Sequence, residues 1–323
     1  MFGSCRLKSA IELTETEVVC PVKDCTKKVP RQRKFFKRLE IFKCPKHRIY
    51  ISPSTFEYED LFENILWKEP RGRELLLRAI RTKRESRIAR DNSEDAATWN
   101  VFRFLEKSHL LAGFLENLVK RPIVNPKVIY WSYSQHQNDA WASLEEAREE
   151  FETVPKKGSE PDLIIKSDKA LFFIEAKLTA SNNTVLKTKN LREVQRKYEN
   201  GGNQLYQNVF SSDFKTIALT SKKYELLRFW LIGSWIAQQL KHDYYLVNLI
   251  LSEKERTIEK DFRQHIRENS KRVFVRTTWE DIYHFVLKNG LESTDKSQII
   301  EYFRNKTLGY RNGKLQKAFS ISL

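Results

Sequence analysis

Asp162, Glu175 and Lys177 are the residues whose types and spacing point most directly to chemistry. They lie in two runs of β-favouring residues, Glu160-Pro161-Asp162-Leu163-Ile164-Ile165 and Leu171-Phe172-Phe173-Ile174-Glu175-Ala176-Lys177. The turn formers Lys166-Ser167-Asp168-Lys169 separate them, so the pair predicts a β-hairpin. Side chains alternate along a strand, which puts Phe173, Glu175 and Lys177 on one face and Phe172, Ile174 and Ala176 on the other. A turn centred between Ser167 and Asp168 sets Asp162 opposite Phe173, on the face of Glu175. Two carboxylates and an ammonium then converge inside an apolar hairpin, an expensive arrangement unless the charges are paired or bind an ion. Carboxylate oxygens suit a hard divalent cation such as magnesium, which keeps several waters for chemistry. Such a cation polarises a phosphoryl oxygen and acidifies a bound water. A lysine beside it can orient or deprotonate that water, or offset charge in the transition state. The chemistry expected is metal-dependent hydrolysis, and a surface hairpin with a chance salt bridge is the plain alternative.

A second set of ligating residues stands near the N-terminus. All four cysteines fall within the first 44 residues: Cys5, Cys20, Cys25 and Cys44. Cys20 and Cys25 form a CxxxxC pair, and Cys44 and His47 a CxxH pair. Each pair can make a knuckle-like turn, and together they supply four ligands for tetrahedral zinc, closing its coordination sphere. The expected role is structural, as in zinc ribbons, which this segment resembles, and Cys5 is left over. Free cysteines with a surface histidine are the alternative. Between the pairs, Lys34 and Arg38 belong to a basic run interleaved with Phe35 and Phe36 that can touch phosphates, or else be a solvated face.

The 323 residues suffice for one large or two modest domains. The hydrophobic share of 40% makes the chain globular, and the formal charge of +16 favours a polyanionic partner. Nucleic acid is the expected one. No stretch is long and apolar enough for a membrane span, and the N-terminus lacks the layout of a secretory signal, so the expected location is cytoplasmic. Glu74 to Arg90 reads as a helix whose polar surface, carrying Arg81, Arg84 and Arg87, could lie along a phosphate backbone. Asp91-Asn92-Ser93-Glu94-Asp95 starts another helix with capping residues and acids. Further helices are expected at 109–123, 141–151, 226–240, 254–270 and 279–287. Strands are expected at 128–133, 244–251 and 273–276, and a strand or linker at 215–219. This order fits a mixed sheet between helices.

The Pro161-Asp162 and Glu175-Ala176-Lys177 pattern, with strand on both sides and an acid-bearing helix upstream, resembles the PD-(D/E)XK phosphodiesterase superfamily, the restriction-endonuclease-like fold. The resemblance covers mainly residues 90 to 210. It implies a three-layer α/β/α sandwich around a mixed central sheet for residues 71–323, following a zinc-binding module over 1–70. It implies a magnesium- or manganese-dependent deoxyribonuclease in which Asp162 and Glu175 hold the metal with the backbone carbonyl of Ala176. Lys177 would position the attacking water and Glu94 would assist, although an acid in a first helical turn also simply complements the helix dipole. A homodimer would suit cutting of both strands. A DNA-binding protein that does not cut, a ribonuclease and a hydrolase of another acidic substrate are the competing readings.

Overall fold

The computed structural model describes residues 6–33, 35–83 and 85–321. Cys5, Lys34 and Arg84 lie outside the described residues. The chain forms two compact units that interleave along the sequence. The first takes Met1–Arg73, Ser86–Ser108 and Trp279–Leu323; the second takes Glu74–Glu85 and His109–Thr278. The boundary expected at residue 70 falls near the end of the first of these segments, and the C-terminal segment belongs with the N-terminal one.

The first unit opens with β1 (Glu17–Val19) and β2 (Lys28–Pro30), an antiparallel pair in which Val18 meets Val29. β3 (Lys43–Cys44), β4 (Ile49–Ile51) and β5 (Phe56–Tyr58) make a second antiparallel sheet. Helix α1 (Pro70–Thr82) starts on a proline, whose fixed φ and missing N–H suit a first helical position. It stops well short of the expected Arg90. The reason is on the other side of the break, where the chain turns at residues 88–91 and bonds to β5 on either side of a single Glu57–Arg90 bridge. The Tyr58 N–H donates to the Ala89 carbonyl at 2.8 Å, and Asn64 Nδ2 donates to the carbonyls of Ile88 at 2.7 Å and Arg90 at 2.6 Å. A helix carried through Arg90 would forfeit all three. Arg81 is therefore exposed at the end of α1 in the second unit, and Arg87 is exposed beyond the helix in the first. The next helix, α2 (Glu94–Lys107), begins where expected, with the Ser93 hydroxyl accepting the Ala96 N–H at 3.2 Å.

The second unit contains α3 (Leu111–Val119), β6 (Lys127–Tyr130), β7 (Tyr133–Ser134), β8 (Asp139–Ala140) and α4 (Ala142–Phe151). There follow β9 (Leu163–Lys166), β10 (Ala170–Ala176), α5 (Leu191–Val209), α6 (Tyr224–Leu240), β11 (Asp243–Ile250), α7 (Ile258–Arg263) and β12 (Arg272–Thr278). The strands form one seven-stranded mixed sheet in the order β12-β11-β10-β9-β6-β7-β8. β9 runs antiparallel to both β6 and β10, whereas β11 lies parallel to β10 and β12 parallel to β11. The expected 254–270 helix shrinks to the six residues of α7, and 215–219 is neither strand nor linker. Thr216–Thr220 forms a wide π-helical turn. Asp213 anchors it by accepting from the Thr216 N–H at 3.0 Å and the Thr216 hydroxyl at 2.6 Å. Helix α5 is broken at Gly201–Gln204, where Gly202, Asn203 and Gln204 take φ values near +60°.

One face of the sheet is covered by α6, with α4, α5 and α7 beside it. Phe173 of β10, Tyr244 and Leu246 of β11 and Phe274 of β12 pack there with Leu226, Phe229 and Trp230 of α6. Gly233 permits this approach. A Cβ at that position would stand 2.2 Å from the Tyr244 ring, whose hydroxyl donates to the Phe229 carbonyl at 2.6 Å. Elsewhere in a helix, alanine would be favoured over glycine by about 1 kcal/mol. Here Gly233→Ala is expected to destabilise the protein by about 1–3 kcal/mol through overpacking, read as a lowered midpoint in urea unfolding.

After β12 the chain returns to the first unit as α8 (Trp279–Asn289), α9 (Thr294–Asn305) and the hairpin β13 (Thr307–Arg311) with β14 (Lys314–Lys317). Tyr310 enters the same small core as Val18, Cys20, Ile49 and Ile51. Its N–H donates to the Ser54 carbonyl at 2.6 Å and its hydroxyl to the Lys8 carbonyl at 2.9 Å. Gly309 makes this docking possible, with φ +97° and a Cβ position only 2.0 Å from the Ser54 oxygen. Among the described residues, no helix is long and apolar enough to cross a membrane.

Candidate functional site

The site in the second unit is built from the two ends of one hairpin. β9 and β10 pair with Leu171 opposite Lys166 and Ile174 opposite Leu163. This register is two residues away from the expected one, because Ser167 closes the turn by bonding Ala170. The Ser167 N–H donates to the Ala170 carbonyl at 2.8 Å, and the Ala170 N–H donates to the Ser167 hydroxyl at 2.9 Å. A shift of two leaves every side chain on its expected face. It also brings Asp162 level with Glu175, where Phe173 was expected. Asp162 stands at the bend before β9, and its Oδ2 accepts the Ala176 N–H at 2.9 Å.

Glu175 and Lys177 are buried, on the α6-covered face of the sheet. The Lys177 backbone N–H continues the pairing with β11 through the Leu249 carbonyl at 2.7 Å. Its ammonium bridges two carboxylates, those of Glu175 and, at 2.9 Å, Glu225 in the first turn of α6. Burial pushes the Glu175 carboxyl well above the usual carboxylate range, and the neighbouring charges of Glu225 and Asp162 add to that against the pull of Lys177. Burial works against the charge on Lys177, but the carboxylates of Glu175, Glu225 and Asp162 outweigh it and raise its pKa. Glu225 also loses solvation, yet Lys177 holds its carboxyl below the ordinary value. Glu225 keeps 26% of its side-chain surface exposed against 4% for Glu175, so the constellation meets solvent on the α6 side.

Three carboxyl groups thus gather about one lysine. That donor set, all oxygen and joined at the strand end by the Ala176 backbone, fits a hard divalent cation in kind. Its present geometry is that of an ion-pair cluster: Glu175 and Glu225 close on Lys177, and Asp162 turns one oxygen to a backbone N–H. Glu94 is half-buried in the first turn of α2 and belongs to the first unit.

Glu225 escaped the sequence reading because it is 48 residues from Lys177 along the chain and looks like an ordinary first-turn acid. Asn248, level with Glu175 on β11, was missed for a similar reason. It is fully buried and exchanges hydrogen bonds with Asn182 at 3.2 and 3.1 Å. Asn182 in turn is held by Glu255, its N–H donating to Oε1 at 3.0 Å. The polar segment leaving β10 is thus pinned to β11 at Asn182, and this residue is enclosed and not exposed to a substrate.

The first unit holds the other ligand set. Cys20 and Cys25 lie in the connection between β1 and β2; the Cys25 N–H donates to the Val22 carbonyl at 3.2 Å, forming the first knuckle. Cys44 ends β3, and the Arg48 N–H donates to its carbonyl at 2.9 Å, forming the second. The Cys20, Cys25 and Cys44 sulfurs and a His47 ring nitrogen all lie within 4.8 Å of one another. Cys25 Sγ is 3.9 Å from Cys44 Sγ, and His47 Nδ1 is 3.5 Å from Cys20 Sγ and 3.7 Å from Cys44 Sγ. Tetrahedral zinc with ordinary bond lengths demands edges of about 3.8 Å between sulfurs and about 3.6 Å between sulfur and nitrogen. The buried Cys3His group can therefore hold a metal ion such as zinc. Burial pushes the Cys20 thiol up, and burial also lowers the His47 pKa, which keeps its imidazole available as a neutral ligand. Among the described residues this is the group of three or more such side chains gathered for a metal.

Arg38 is exposed, with Nε 3.3 Å from Glu57 and Nη2 donating to the Glu59 carbonyl at 2.9 Å. Compared with protein-family models, curated proteins and solved structures, the chain matches none.

Proposed function

We propose that the second unit is a metal-dependent nuclease of the PD-(D/E)XK type acting on DNA, and that the first is a zinc-stabilised module that helps to hold it there. The observation that carries this reading is the convergence of Asp162, Glu175 and Lys177 at one end of a hairpin in the middle of a mixed sheet. Asp162 and Glu175, with the Ala176 carbonyl, would hold magnesium or manganese. When bound, that ion would polarise the phosphoryl group and acidify a water. Lys177 carries its charge between Glu175 and Glu225, where it could orient the attacking water and offset charge developing on the phosphate. Glu225 positions Lys177, since it accepts from the same ammonium that Glu175 does. The net charge of +16 supplies the attraction to a polyanion.

The test is to incubate purified protein with supercoiled plasmid, linear duplex, single-stranded DNA and RNA, with magnesium or manganese. Metal-dependent cutting of DNA is expected, and cutting of RNA alone would replace the substrate assignment. The ion-paired state of Lys177 favours one second reading, a protein that binds DNA and leaves it whole. Salt-sensitive binding with no cleavage under any metal would select it. Glu225→Gln is expected to slow cleavage about 10- to 100-fold, the range of groups that orient a catalytic residue. A kcat loss with unchanged KM would identify it as a positioning residue.

A further inference from the structure

The first unit contains a cleft of about 670 Å³ away from its cysteines, lined by Arg31, Arg33, Phe35, Phe36, Ser54 and Thr55 among others. That volume lies within the range of about 300–1,000 Å³ typical of small-ligand sites. Its walls combine features that seldom occur together by accident. Phe35 is 77% exposed, a large aromatic surface left in water. Phe36 lies beneath the Arg90 guanidinium, 5.1 Å from ring centroid to carbon. Arg31 and Arg33 are held by backbone carbonyls, Arg31 Nη1 on Thr14 at 2.8 Å and Arg33 Nη2 on Glu15 at 2.7 Å. Neither is in an ion pair among the described residues, although Glu15 also lines the cleft, so two positive charges are fixed in position beside a single acid. Thr55 is buried, and its hydroxyl has no hydrogen-bond partner among the described residues.

We infer that this cleft receives an unpaired nucleotide of a nucleic-acid strand, its base stacked on Phe35 and its phosphates against Arg31 and Arg33. A duplex cannot fill the role, because its bases already stack on one another and present no free face. Single strands offer both the face and the charge, and aromatic platforms beside cationic grooves bind them with little regard to sequence. The exposed Ser54 lines the same space, and its hydroxyl can meet a base edge. The inference stands apart from the hydrolytic reading of the acidic site, since every residue it uses belongs to the first unit.

The test measures binding by fluorescence anisotropy with the full-length, zinc-loaded chain and no added divalent metal, so that cleavage does not intrude. The probes are a labelled 15-mer of deoxythymidine, the uridine counterpart and a mixed-sequence duplex of equal length. Phe35→Ala is expected to weaken single-strand binding about tenfold, within the range of a lost base–aromatic stack, with duplex affinity changed less than twofold. Phe35→Trp should retain the parent affinity, and Arg33→Ala should weaken binding and flatten its salt dependence. Whether the thymidine or the uridine strand shows the Phe35 dependence identifies the sugar. Zinc content and circular dichroism equal to the parent's would show that each variant is folded. Absent single-strand binding by the parent, parent-like single-strand affinity of Phe35→Ala, or an equal loss on single strand and duplex would each overturn the inference. None of these outcomes bears on the plasmid-cutting assay.

Discussion

Glu175→Gln is expected to reduce metal-dependent DNA cleavage by about a thousandfold, the upper scale on which loss of a preorganised charge acts in a dry active site. The substitution keeps the shape of the side chain and removes a carboxyl group that could bind the metal. Lys177 still finds Glu225 at 2.9 Å, so the fold should survive and the loss should fall on chemistry. Lys177→Ala should abolish cleavage to a similar degree with a different stability signature. It leaves Glu175, Glu225 and Asp162 facing one another without the shared cation, and breaking a buried pair on one side costs about 3–5 kcal/mol. The prediction is checked by plasmid nicking rates alongside urea unfolding of both variants. Parent-like cleavage by Glu175→Gln would remove the acidic cluster from the reaction.

Removing the metal from the Cys3His group is expected to unfold the β1–β5 part of the first unit while the second unit keeps its core. Strands β1 to β5 are three residues long or shorter, and isolated pairs of that size are marginal in water. Their shared core contains the three cysteines themselves, so without an ion the centre of the unit is a set of thiols beside a histidine. Structural zinc sites contribute about 10–16 kcal/mol of apparent binding energy in small fingers, more than such a core supplies. The second unit draws on a separate and much larger cluster that includes Phe173, Trp230 and Leu246. Elemental analysis of the native chain should find about one zinc per chain. Chelation or Cys44→Ser should make residues 6–58 sensitive to limited proteolysis, with the 109–278 region resistant. Full metal occupancy in Cys44→Ser would count against the assignment.

The parts of this architecture legible in sequence were those with a local signature. The hairpin around residue 168 shows β-branched and aromatic runs broken by turn formers, and the knuckles show ligands at short spacing. The face shared by Asp162, Glu175 and Lys177 followed from period-two alternation, which survives a two-residue error in register. The register itself depended on the Ser167 side chain taking over the turn, a choice that local propensity does not decide. Glu225 and Asn248 came to the site by tertiary packing, and neither has a neighbour in sequence that marks it. Helix α1 shows the same limit from the other direction. Its periodicity and charge run on to Arg90, but pairing with β5 claims residues 88–91 first. The last segment, β13 and β14, has no strong pattern of its own and is held by Gly309 and Tyr310 docking on Ser54 and Lys8.

That docking has a consequence for how the protein is made. Tyr310 fills the core around Cys20, yet it is translated some 290 residues later, after the whole of the sheet-containing unit. As the chain leaves the ribosome, the segment bearing Cys20, Cys25 and Cys44 must wait with its core incomplete until the β13–β14 hairpin arrives. The middle of the chain can settle in the meantime. A chain truncated before Tyr310 is therefore expected to keep the core around Phe173 and Trp230 and to leave the core around Cys20 incomplete.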